Sequence, residues 1–198
     1  MECNPFNRYL LRAVGGRFHA RGHRHAAGQA TVEFALSSVV LVFLLLGLLD
    51  FARGFYFAVR LQDAAREGAR VGTQYDPQAA SYPHLNNADI SQAVDNVLQQ
   101  SGMPAATLQT TTCPATKDGN KLYNPPYADS AYPPGPGQAY LYICYQNNPG
   151  TTPPLTSPAL TPLNVIVLYR FGLITGFLQD QLGPAGIEMF GQYQGTIE

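Results

Sequence analysis

From Phe34 to Leu49 the chain runs sixteen residues without a charge, and twelve of them are Leu, Val or Phe. On the insertion scale those twelve contribute about −4 to −7 kcal/mol, more than a single acid near the end of the segment costs. Such a stretch inserts into a membrane. As a helix, sixteen residues cover only about 24 Å of a roughly 30 Å hydrocarbon layer, whereas Gln29 to Leu49 covers about 31 Å. A full span therefore draws Glu33 toward the membrane, where acids are rare and costly. Two readings of Glu33 stand: it marks the interface at which the helix starts, or it sits in the apolar layer and needs a cation.

The span divides the chain into three parts: a basic leader over 1–28, a transmembrane helix over 29–50, and a domain over 51–198. Arg8, Arg12, Arg17, Arg21 and Arg24 of the leader face only Glu2, while the rest of the chain holds seven basic and twelve acidic residues. The near-neutral total thus conceals a basic leader and a mildly acidic domain, which argues against nucleic acid as a partner. The leader fits an N-terminus held in the cytoplasm. Arg53, Arg60, Arg66 and Arg70 follow the span, so the positive-inside bias is small. A cleaved secretory signal fits less well: Ala52-Arg53-Gly54 makes a poor cleavage site after an apolar core that is already long.

The order basic segment, Gly28, four uncharged residues, Glu33, apolar helix resembles the processing region of type IV-like prepilins. GQATVEFAL, LLDFARGFYF and LQDAAREGARVGT resemble, more narrowly, the TadE-like family, the minor pseudopilins of tight-adherence (Flp-type) pilus systems. The resemblance is close from Gly28 to about Thr73 and looser in the later strands. Its most specific piece is Ala64-Ala65-Arg66-Glu67-Gly68-Ala69-Arg70. The resemblance implies cleavage between Gly28 and Gln29 by a membrane-embedded prepilin peptidase, with Glu33 as the fifth mature residue paired to an α-amino group. Glycine suits the scissile position because it adds no side-chain bulk where a peptidase closes on the backbone. Phe34 departs from the Tyr that often follows the glutamate in processed members. The resemblance also implies partners: other minor pseudopilins, the major pilin and an inner-membrane assembly platform. The alternative function is an uncleaved single-pass envelope protein whose loops bind an extracellular ligand or surface.

The fold class expected is α+β: one transmembrane helix continuing into an exported domain of helices packed on a small antiparallel sheet. Beyond Asp50 the helix continues through Val71, with Phe57, Leu61, Ala64 or Ala65, Gly68 and Val71 forming one stripe and the charges on the other side. Ala58, Ala65, Ala69 and Gly72 permit close approach, either of another subunit's helix or of the protein's own sheet. Asp50 either pairs with Arg53 or marks the outer membrane edge.

A loop with Pro77 and Pro83 leads to a second helix over Ala88 to Ser101. Its apolar face is Ile90, Val94, Val97 and Leu98; Asn87 caps it, and Gly102 with Pro104 stops it. Strands follow at Thr107 to Thr112, Ala139 to Tyr145, Asn164 to Phe171 and Gly186 to Tyr193. The connections Pro114 to Gly137 and Asn147 to Pro162, with Pro104, hold twelve of the 16 prolines and read as surface loops. Tyr123, Tyr127 and Tyr132 in the first of them either offer exposed contacts or lie over the domain's own core. An apolar tail, Leu173 to Leu182, is too short for a second span.

Cys3 falls in the leader, leaving Cys113 and Cys144 as a pair suited to one disulfide in an oxidising compartment, or to two core thiols. Bonded, they would stabilise the domain by roughly 3 to 4 kcal/mol. His19, His23 and His25 sit among arginines without an acid or thiol, a poor set for a metal. No phosphate loop, zinc-spacing cysteine set or nucleophile elbow occurs, and only His84 lies outside the leader. The expectation is a protein without enzymatic activity, cofactor or metal.

Overall fold

The computed structural model describes residues 24–74, 87–110, 112–114, 127–145, 162–175 and 186–197. The chain divides into two compact units, Met1–Val42 and Phe43–Glu198. Helix α1, Arg24–Thr73, supplies the described part of the first and the opening element of the second. It starts inside the basic segment and ends two residues past the predicted Val71. In the first unit its side chains from Gly28 onward are exposed apart from a half-buried Ser38. Among the described residues this is the one helix long and apolar enough to cross a membrane.

In the second unit the apolar run gives way to an amphipathic pattern, and the buried face of α1 becomes Leu61, Ala64, Ala65, Gly68, Ala69 and Gly72. That spacing places them on one side of a 3.6-residue helix. Helix α2, Asn87–Gln100, buries Ile90, Val94 and Leu98 beside them. It ends as its sequence indicates: Gly102 takes φ 76°, and Met103 N–H donates to the Leu98 carbonyl at 3.0 Å. A residue with a Cβ is strained at that φ, which is why glycine closes the helix.

The sheet has the order β1-β2-β3-β4, from Thr107–Leu108, Gln138–Tyr145, Pro162–Phe171 and Ile187–Thr196. β2 with β3 and β3 with β4 are antiparallel, but β1 runs parallel to β2. The all-antiparallel expectation is corrected to a mixed sheet, and the first strand is two residues rather than six. Past Gln109, whose N–H donates to the Leu141 carbonyl at 2.8 Å, the chain leaves the ladder toward Cys113. Thr110 and Thr112 lie outside the strand.

β3 shows why the sheet is covered on both sides. Leu163, Val165, Val167, Tyr169 and Phe171 face the helices, while Ile166 and Leu168 join a second cluster with Tyr127, Ala131, Tyr132, Tyr142 and Cys144. Alternation with both sets apolar means that both faces are buried. A short 3-10 turn, Asp129–Ala131, packs on the second face, where the Tyr142 hydroxyl donates to the Ala131 carbonyl at 2.8 Å. Tyr127 and Tyr132 are buried there, over the domain's own core. The His- and Arg-rich leader before Arg24, the loop with Pro77, Pro83 and His84, Tyr123, and the Phe177 to Leu182 part of the tail lie outside the described residues.

α1 lies unusually close to β4. A Cβ on Gly191 would collide with the Leu61 carbonyl, and one on Gly195 would meet the Thr73 methyl at 2.7 Å. Gln62 reaches the outer edge of β4, accepting from Gln192 N–H at 3.4 Å and donating to the Phe190 carbonyl at 3.5 Å. An edge strand presents unpaired amides and carbonyls, and this side chain occupies one pair of them.

Candidate functional site

The predicted site residues separate into groups that the structure keeps apart. Gly28, Gln29 and Glu33 are all exposed in the first turns of α1. A Cβ on Gly28 would meet nothing within 4 Å, so the glycine answers no packing need among the described residues. The Gly28–Gln29 bond lies within the helix, which begins four residues earlier.

The small residues have another setting. Ala65 and Ala69 are fully buried in the domain core. On Gly72 a Cβ would run into the Leu163 and Ile90 side chains, and on Gly68 it would meet Val165 at 3.2 Å and crowd Val94. These three predicted positions, Ala65, Ala69 and Gly72, seat α1 on the protein's own sheet and second helix. Ala58 is only half-buried and lines a cavity nearer the apolar run.

Cys113 and Cys144 form a disulfide with their Cα atoms 5.9 Å apart. It ties the segment after β1 to β2 on the sheet face away from the helices. Among the described residues no three His, Cys, Asp or Glu side chains gather as a metal would require.

One constellation was not foreseen. Asp50 closes the apolar run, yet it is 3% exposed. Its carboxylate accepts from Ile174 N–H at 2.9 Å, from Thr175 N–H at 3.2 Å and from the Thr175 hydroxyl at 2.7 Å. Arg53, one turn on, lies 3.5 Å from it and stacks its guanidinium over Phe57 and Phe171, 5.6 and 5.3 Å from the ring centroids. Of the two readings of Asp50, the pairing with Arg53 is present, and a backbone clamp on the arm after β3 accompanies it. A buried carboxylate is tolerable only when so satisfied. Beside this clamp lies a cavity of about 400 Å³ whose other walls are almost wholly apolar, among them Phe51, Gly54, Phe55, Phe171 and Met189.

These elements are one apolar helix, a glycine at its exposed start and a helix–sheet domain. Residues 28–70 match the family model of TadE-like proteins. The match begins at Gly28 itself and ends at Arg70, within the buried stretch of α1. No curated protein and no solved structure matches the chain. The TadE-like segment therefore covers the exposed first turns, the apolar run, Asp50 and the helix face that packs on the sheet, while the sheet lies outside it.

Proposed function

We propose that this chain is a membrane-anchored, minor pseudopilin-like protein without enzymatic activity, acting in the assembly or anchoring of a tight-adherence pilus. The observation that carries this reading is the TadE-like match, which starts at an exposed glycine and runs through the apolar helix. In this reading the basic segment lies in the cytoplasm and the domain beyond the cytoplasmic membrane, where the Cys113–Cys144 bond persists in an oxidising compartment. A prepilin peptidase cuts between Gly28 and Gln29. Glu33 then meets an α-amino group in the apolar layer, its own or that of a neighbouring subunit. The neighbours are other minor pseudopilins, the major pilin and the inner-membrane assembly platform.

The intact mass and N-terminal residue of protein isolated from its native membrane test the reading. A mature chain starting at Gln29 supports it; one retaining Met1 or Glu2 favours the uncleaved envelope anchor instead. Glu33→Ala separates insertion from assembly. Removing an acid eases insertion, so the expected result is normal membrane recovery with impaired piliation.

A further inference from the structure

The cavity beside Asp50 belongs to a larger apolar face built from three separate stretches of sequence. Phe51 and Phe55 of α1, 72% and 68% exposed, line the cavity together with Leu173 of the arm after β3 and Ile187 of β4, and Ile174, next along the arm, is 62% exposed. Single exposed apolar side chains are ordinary, but a contiguous group of large ones marks an interaction surface. The arm is also pinned: two of its backbone N–H groups and one hydroxyl are held by the Asp50 carboxylate.

Position along the chain identifies what this face meets. Leu49 ends the apolar run, and at 1.5 Å per residue Phe51 stands about 3 Å and Phe55 about 9 Å farther along α1. The headgroup layer on each side of the hydrocarbon is roughly 5 to 8 Å deep. Once the run spans, Phe51 falls inside that layer and Phe55 just beyond it. Ile174, whose N–H is bonded to Asp50 one residue past Leu49, comes to the same level by that bond.

We propose that this face is a lipid-binding seat, with Phe51 and Ile174 resting in the boundary between headgroups and acyl chains, Phe55 on the water side of the headgroups, and lipid filling the apolar cavity. Asp50 sets the seat by holding the arm down beside the span. Its carboxylate enters this layer because backbone amides and Arg53 satisfy it in place of water. The inference rests on α1 spanning the membrane, and the two claims fail separately.

The chain contains no tryptophan, so one introduced indole reports alone. The full chain is reconstituted in phosphatidylcholine vesicles with or without bromine on the acyl chains, as Leu44→Trp, Ile174→Trp or Phe51→Trp. Leu44→Trp reports the span and is quenched wherever α1 inserts. The expected result for Ile174→Trp is blue-shifted emission, quenched most by bromines near the carbonyl end of the chain and unchanged on dilution of protein in lipid. Phe51→Trp gives the same pattern and serves if the Ile174 variant folds poorly. Quenched Leu44→Trp with Ile174→Trp and Phe51→Trp both water-like overturns the seat and leaves the span intact. Quenching or blue shift at Ile174 that disappears on dilution assigns the face to a second copy of the chain and also overturns it. An unquenched Leu44→Trp removes the span and the seat together.

Discussion

A carboxylate at the end of an apolar run finds its hydrogen-bond donors either in water or within the protein, and Asp50 takes the second course. Three of its donors lie on Ile174 and Thr175, about 124 residues away in sequence, so local pattern could show the acid and Arg53 but not the clamp. Asp50→Ala leaves two backbone N–H groups without their acceptor, and each such loss costs about 1 to 3 kcal/mol. The expected outcome is a clear fall in the thermal midpoint of the detergent-solubilised protein, measured by circular dichroism. Asp50→Asn keeps an acceptor oxygen but turns the other position into a donor facing Thr175, and should fall between wild type and alanine. Equal midpoints for all three would show that the clamp contributes no stability. The spacing of Gly28 and Glu33, by contrast, could be read from sequence because both lie within one short stretch of the chain.

At the scale of elements, the helices were legible because periodicity and stops are local. α2 starts at Asn87 and stops at Gln100, beside the Gly102 that the pattern singled out. The parallel β1 was not legible, since strand direction depends on the path of the connection rather than on the residues in the strand. Nor did strand pattern disclose the contact of β4 with α1. Gly191 and Gly195 look like weak points in a strand, and their reason is the helix backbone and Thr73 lying against them. Gly191→Ala should therefore destabilise the domain by on the order of 2 to 3 kcal/mol, because its methyl would overlap the Leu61 carbonyl rather than a flexible side chain. Gly47→Ala, in the interior of α1, meets nothing within 4 Å and should not destabilise, since alanine favours the helix over glycine by up to about 1 kcal/mol. Chemical denaturation of the two variants side by side tests the contrast; equal midpoints would mean that the close approach is easily relaxed.

Across the whole molecule, stability comes from both faces of the sheet. The disulfide lies on the face covered by Tyr127 and Tyr132, and opening it by Cys113→Ser with Cys144→Ser should cost roughly 3 to 4 kcal/mol, read as a shifted denaturation midpoint that reductant no longer alters. Burial pushes the Tyr127 hydroxyl up to about 12 and raises those of Tyr132, Tyr142 and Tyr145 as well. Unfolded tyrosines ionise near 10. A folded pKa above the unfolded one means that this stability is complete below about pH 10 and declines as pH rises toward 12. Tyrosinate absorbance should therefore climb together with loss of circular dichroism. A rise that precedes unfolding would place these hydroxyls in water. The aromatic covering was half visible in sequence: the tyrosines stood out in their loop, but only the second apolar set on β3 decides that they lie over the core. The fit of α1 against β4 also bears on the order of events during synthesis. Gln62 and Gln192 are 130 residues apart, and Ile197, just past β4, is fully buried. The helix leaves the ribosome long before the strand that closes over it, so its Leu61 to Gly72 face must wait for nearly all of the remaining chain. Nascent chains stalled before Ile187 should be open to protease and to chaperones that hold exposed apolar helices, and the domain should become resistant only once β4 has emerged.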